Sequence, residues 1–247
     1  MCAAITGVTP EYGLLLEQNR AGDVLIQVEA DVDSEYDYEL LGYITPKKMG
    51  QAYHCPVFNG LSKQTTSEQL MDLGTQLNIH GIVPMFHVVG VTPEAADVHT
   101  AFLGRKDPPV VTITNEDLDQ ARAEISAGTG KADFCILGCP HLTINQVGSI
   151  AKMLDGQQLA GQLYIFTSTS TKELAQRMGY LDIIHKAGGE IVINSCVDQP
   201  CWSHLYGMSG VTESPKCAYY TKRWNMTFTV KSIPACIQSV LKGEIVS

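Results

Sequence analysis

The sequence predicts an α/β fold, parallel sheet layers flanked by helices. Short apolar runs suited to buried strands recur at residues 24–29, 82–89, 110–113, 132–137, 163–166 and 190–194. Stretches with helical spacing and capping residues alternate with them, and strand–helix–strand crossovers join parallel strands. The chain has 247 residues, 45% hydrophobic and only 17% charged, enough to bury a sizeable core.

Residues 24–29 form the first expected strand. The acidic segment 31–39 reads as exposed. Val57 and Phe58 make a short strand before an Asn59-Gly60 turn. Ser67 then caps a helix with Leu70, Leu73 and Leu77 on one face and Gly81 beyond its end. Residues 82–89 read as a buried strand, which Pro84 assigns to an edge or bulge. The loop 104–109 is the candidate domain boundary. After strand 110–113, Asn115 caps a helix over 116–126 whose acidic first turn suits the helix dipole, and residues 128–130 end it.

From Lys131 onward the alternation is most regular. A strand leads to Cys139. Thr143 caps a helix whose apolar face is Ile144, Val147, Ile150, Ala151 and Leu154, ended by Gly156. Strand 163–166 runs into Thr167-Ser168-Thr169-Ser170, where Ser170 and Glu173 form a capping box for a helix carrying Leu174 and Met178. Gly188-Gly189 turns into the strand that ends at Ser195-Cys196. Ligands of parallel sheets collect at the carboxyl edge. Cys139, Cys196 and the hydroxyl-rich loop therefore share one rim.

Composition narrows the function. A net charge of −9 with no basic run argues against nucleic acid, whose phosphates need Lys/Arg clusters. No apolar stretch reaches the ~18 residues of a membrane span. The N-terminus lacks the basic start of a secretory signal, so a cytoplasmic location is expected. In that setting eight cysteines favour thiols or metal ligands over a disulfide framework. Cys135 and Cys236 read as core residues, Cys236 on a helix face with Val240.

Each candidate has a structural alternative. Cys139 precedes a helix N-terminus, where a thiolate is favoured as ligand or nucleophile, but buried turn cysteines are common. Cys196 and Cys201 suit a metal, or a packed loop with Trp202 and His204. Thr167, Ser168 and Ser170 can cradle an anion, or simply cap a helix. His87 and His141 are acid–base candidates, although a lone histidine is more often structural. Lys216 lies beside Tyr219 and Tyr220, a cation among phenols or an ordinary surface turn.

An ordered set of segments carries a resemblance. It comprises residues 3–13 with Glu17-Gln18-Asn19-Arg20, residues 86–95 including Phe86-His87, and Leu137-Gly138-Cys139-Pro140-His141-Leu142. Thr167-Ser168, Arg177-Met178-Gly179-Tyr180, Gly188-Gly189 and Asn194-Ser195-Cys196 complete it. In this order the chain resembles, from end to end, the large catalytic subunit of aconitase X. The resemblance implies an aconitase-like fold, with residues 1–104 as the central part of the catalytic region and 105–247 as a βαβαβ domain carrying Cys139 and Cys196. It implies a hydro-lyase with an iron–sulfur cluster, 4Fe-4S or 2Fe-2S, held by three cysteines. Cys139 and Cys196 would be two of the ligands. The family dehydrates 3-hydroxyproline or mevalonate 5-phosphate, and a 3-hydroxyproline is the expected substrate. The implied substrate anchors are Thr167, Ser168 and Ser170. The implied catalytic groups are His87, His141 and Lys216, with His141 also placed to tune the cluster.

The departures are specific. The family's large subunit is longer, so the third cysteine is expected from an N-terminal segment outside this chain, and a small swivelling domain or subunit is the expected partner. Where the family has Asn-Ser-x-Lys-x-Ala-His-Tyr, this chain reads Glu213-Ser214-Pro215-Lys216-Cys217-Ala218-Tyr219-Tyr220. An acid in place of asparagine is unfavourable in an anion pocket, which puts the substrate preference in question. The alternatives are a non-catalytic remnant or one subunit of a split enzyme, a thiol enzyme using Cys139 with His141, and a small-molecule binder using residues 167–170.

Overall fold

In the computed structural model, which describes residues 1–125 and 130–246, the chain builds two parallel sheets in succession. A short exposed helix α1 (Cys2–Thr6) comes first. The first sheet contains β1 (Val24–Val28), β2 (Pro56–Asn59), β3 (His87–Val88) and β4 (Val110–Ile113), in spatial order β3-β2-β1-β4. Helices α2 (Glu35–Met49), α3 (Ser67–Gln76) and α4 (Val98–Ala101) connect these strands, and α5 (Asn115–Ile125) follows them. The second sheet contains β5 (Phe134–Leu137), β6 (Gln162–Thr167), β7 (Gly189–Ile193), β8 (Ser209–Thr212) and β9 (Thr227–Val230), in spatial order β7-β6-β5-β8-β9. Its helices are α6 (Ile144–Leu154), α7 (Thr169–Arg177), α8 (Tyr180–Ala187), α9 (Pro215–Thr221) and α10 (Ile233–Lys242). Every strand pair is parallel, with Ile26 opposite Val111 in one sheet and Cys135 opposite Leu163 and Val211 in the other.

Parallel strands covered on both faces need apolar residues at every position, which is why they read as continuous runs. In β5, Phe134 and Ile136 enter a core shared with Ile26, Phe58 and Leu73 of the first sheet's half. The alternate residues Cys135 and Leu137 face a second core with Val147, Ile150, Ile184, Cys236 and Val240. The shared core joins the two sheets, each fully buried Leu or Phe contributing about 1.5–3 kcal/mol.

Several expectations change. Segment 31–39 is not a uniformly exposed acidic stretch. Ser34 and Asp37 form a capping box, α2 begins at Glu35, and Glu39 is buried. The N-cap of α3 is Thr66, paired with Gln69, rather than Ser67. Within 82–89 only His87–Val88 is strand and Ile82 is exposed, because Pro84 has no N–H for a ladder. The strand after loop 104–109 pairs with β1, so the chain passes to the second sheet only after α5. The stop expected at 128–130 lies partly outside the described residues. Ser168, not Ser170, caps α7 by accepting from the Thr171 N–H. Leu174 and Met178 are exposed, and Ala175 is the buried residue of α7.

Both sheets have a switch point, where successive connections leave in opposite directions and the carboxyl ends of two strands part. In the first sheet it lies between β1 and β4, in the second between β5 and β8. The residues beyond β5 and β8 are Gly138-Cys139 and Glu213-Ser214.

Candidate functional site

The site is built on the second switch point. Glu213, buried at the end of β8, accepts the Gly138 N–H at 2.6 Å and the Cys139 N–H at 3.2 Å. It ties the two parting strand ends together and fixes the Cys139 backbone. Burial raises the Glu213 carboxyl above the usual range, while the N–H donors act to lower it. Gln76, the last residue of α3, adds a clamp from the other half of the molecule. Its amide donates to the Cys139 carbonyl at 3.4 Å and the Ser214 hydroxyl at 3.3 Å, and its oxygen accepts the Lys216 N–H at 2.9 Å. Ser214 caps α9 through the Cys217 N–H.

The Cys139 thiol packs against the shared core, and burial pushes it up to about 11. The Ser214 hydrogen bond lowers it, Glu213 raises it, and Lys216 and Cys196 add smaller effects of opposite sign. Cys196 is exposed, three residues past β7, and accepts the Asp198 N–H at 3.4 Å. The Trp202 indole donates to the Cys196 carbonyl at 3.2 Å and holds this loop against the core. A cavity of ≈ 530 Å³ opens beside it, lined by His141, Asn194, Ser195, Cys196 and Cys201. The His141 Nε2 donates to the Ser195 carbonyl at 3.2 Å, joining the β5 and β7 rims.

The structure therefore brings Cys139, Cys196, His141 and Lys216 to one region. The hydroxyl loop lies on the same rim, with uneven freedom. Thr167 is fully buried and donates to the Leu142 carbonyl at 2.6 Å, so its hydroxyl is committed to the fold. Ser168 is committed to its cap. Ser170 is exposed and its hydroxyl lies 3.0 Å from that of Ser168. His87 stands apart on β3, donating to the Arg20 carbonyl at 2.7 Å beside a separate cavity of ≈ 160 Å³ with Glu94.

Family models for the aconitase X second and third domains match residues 22–123 and 132–242. The chain belongs to the aconitase X family. The large subunit of phosphomevalonate dehydratase from Thermococcus kodakarensis is 32% identical over 96% of this chain and 60% of that protein. Its counterpart from Methanothermobacter thermautotrophicus is 35% identical over 89% and 53%. Cis-3-hydroxy-L-proline dehydratase from Pseudomonas aeruginosa is 33% identical over 81% and 36%. The crystal structure of Thermococcus kodakaraensis aconitase X in its holo-form superposes with a TM-score of 0.83 at 31% identity, covering 96% of this chain and 60% of that one. The chain thus spans 53–60% of the length of the phosphomevalonate dehydratase large subunits it matches.

Among the described residues of this aconitase X chain, no three His, Cys, Asp or Glu side chains converge as a metal site. Cys139 and Cys196 are both free thiols, soft donors of the type that iron–sulfur clusters take. As soft thiol donors, these two residues fit a cluster in kind.

Gln76 and Glu213 are the positioning residues that sequence reasoning missed as such. Gln76 carried a signal, a polar side chain beside Leu73 and Leu77, apolar residues of its helix. Glu213 was visible only as a departure from the family pattern, and its real environment is a pair of backbone donors rather than an open anion pocket. Replacing Glu213 with alanine strands two N–H groups and should cost about 2–4 kcal/mol. Glutamine keeps an accepting oxygen there and should cost about 1 kcal/mol. Urea denaturation of both variants checks this, and equal losses would contradict the acceptor role.

Proposed function

We propose that this chain supplies two cluster ligands and part of the substrate-facing rim of an iron–sulfur dehydratase, and that the assembled enzyme removes water from a small hydroxy acid, a 3-hydroxyproline. One observation carries the reading: two free thiols, Cys139 and Cys196, follow strands β5 and β7 at the carboxyl edge of one sheet, whose switch point is braced by Glu213. Cys139 and Cys196 would hold the cluster, which would supply a Lewis acid for the departing hydroxyl. Glu213 and Gln76 fix the Cys139 backbone on both sides. Lys216 provides the local positive charge for a substrate carboxylate, and Ser170 offers a hydroxyl on the same rim. His141, anchored to Ser195, orders the loop carrying Cys196.

The large-subunit relatives imply a small-subunit partner for this chain. Met1, Ile5, Val8, Tyr12 and Leu15 are exposed apolar residues against which a partner could pack. Mevalonate 5-phosphate is the second substrate reading, favoured by the matching large subunits at identities similar to the hydroxyproline enzyme.

The test is anaerobic reconstitution with iron and sulfide, followed by iron analysis and EPR. Cys139→Ser and Cys196→Ser should each lose the bound iron in the assembled enzyme, and wild-type iron in both variants would end the assignment. Turnover of cis-3-hydroxyproline against mevalonate 5-phosphate then separates the two substrate readings. A loaded cluster with neither activity would support a non-catalytic role.

A further inference from the structure

A cavity of ≈ 700 Å³ lies between α2, α3, α6, α10 and the β8–α9 turn. Five carboxylates line it, Glu35, Glu39, Glu68, Asp72 and Glu213, and no lysine or arginine does. Three are occupied. Glu35 accepts from the Gln146 amide at 2.8 Å, Glu68 from Asn145 at 3.4 Å, and Glu213 from the Gly138 and Cys139 N–H groups. The other two are not. Glu39 Oε2 and Asp72 Oδ2 are buried without a hydrogen-bond partner, in residues only 2% and 4% exposed. Buried carboxyl oxygens left unpartnered cost several kcal/mol unless a ligand or a proton satisfies them.

We propose that this cavity binds an organic ammonium group on a small hydrocarbon body, with the charge held by Glu39 and Asp72. The wall chemistry selects that class. An anion would meet five carboxyl groups and no basic side chain. A bare metal ion would find no three converging donors among the described residues. The volume is that of a small-molecule pocket, far beyond what one ion fills. Leu142, Met153, Ile233 and Pro234 give the cavity an apolar wall for the carbon skeleton. The ammonium N–H groups would satisfy the two orphaned oxygens as charge-assisted hydrogen bonds. The inference stands on the cavity alone and does not depend on the dehydratase reading.

The bound cation also has to displace protons. Desolvation raises Asp72 to about 8, with Glu35, Glu213 and Glu68 adding to it. Glu39 is raised by desolvation and by Asp72, Glu213, Cys236 and Cys139, and Tyr36 on the same helix is pushed up to about 12 by burial. Every titratable group facing the site is thus a potential anion, and a cation favours the ionised form of each. Affinity should rise with pH.

Isothermal titration of the full chain with n-butylammonium chloride, against sodium chloride of equal ionic strength and against magnesium chloride, tests the proposal. Saturable one-site binding is expected at about pH 8.5, weakening about tenfold by pH 6.5. The double variant Glu39→Gln/Asp72→Asn should bind at least about tenfold more weakly, the equivalent of one charge-assisted hydrogen bond. Titration of the wild-type chain in two buffers of different ionisation enthalpy should show net proton release on binding, a readout that needs no variant. Absence of saturable binding, undiminished affinity in a folded double variant, no proton release, or response to magnesium but not to butylammonium would each overturn the proposal.

Discussion

Replacing Gly138 with alanine should destabilise the protein by at least about 4 kcal/mol and displace the Cys139 turn. Gly138 has φ +115°, a conformation open to glycine alone in practice, and an added Cβ would lie 2.3 Å from the Phe166 carbonyl oxygen. That carbonyl cannot retreat cheaply, because it accepts the Leu142 N–H at 3.0 Å and its strand is paired on both sides. Strain in the turn and overpacking against rigid backbone therefore add. Gly156→Ala is the matched comparison. Its φ is +70° with open space around the new Cβ, so only about 1 kcal/mol of backbone strain is expected. Urea unfolding of the two variants measures the difference. Comparable losses would mean that the β5–β6 rim relaxes and that Gly138 does not set the position of Cys139.

The same turn shows what the sequence reveals and what it conceals. Thr143 as a cap, the apolar face of α6 and the strands leading to Cys139 and Cys196 are local features, and the structure places each close to its expected position. The carboxyl-edge arrangement of the two cysteines follows from strand–helix alternation alone. The switch point does not. It depends on β8 and β9 lying on the far side of β5, and neither strand announces itself. Ser209–Thr212 contains Gly210, which weakens a strand reading but is needed because Phe134 packs where its Cβ would be, 2.5 Å away. α2 escapes detection for a different reason. It is buried from Tyr38 through Pro46, so it has no single apolar stripe to read. The hydroxyl run was legible as residues near an edge, but only three-dimensional packing shows that Thr167 spends its hydroxyl on Leu142. Strand existence is encoded locally, whereas strand neighbours, and so the partners of Cys139, are set by tertiary contacts.

Stability should fall, not rise, as pH increases from about 4 to 8, with a loss on the order of 3–5 kcal/mol. Asp72 is one of three buried carboxyls that cause it. Its carboxyl titrates near 3.9 in the unfolded chain and at about 8 in the fold, because burial penalises its charge and Glu35, Glu213 and Glu68 repel it. Between those values the folded state holds a proton that the unfolded state has lost. The stabilisation is thus complete below pH ~4 and gone once pH has risen through ~8. Glu39 and Glu213, both raised by burial, act with the same sign. Two sets of groups oppose them. Asp117 and Glu124, lowered by Lys48 and Lys47, lose stability only as pH falls toward the bottom of the window. His80, lowered by desolvation, adds stability as pH rises toward 6.5, but it is one partly buried ring against three buried carboxyls. Asp72→Asn removes one of these titrations and eases the repulsion on Glu39. It should therefore flatten the profile and make the variant more stable than wild type at pH ~8 while leaving the two similar at pH ~4. Urea denaturation across that range decides it. A wild-type profile that rises between pH 4 and 8, or an Asp72→Asn profile of unchanged slope, would show that Asp72 ionises freely in the folded protein.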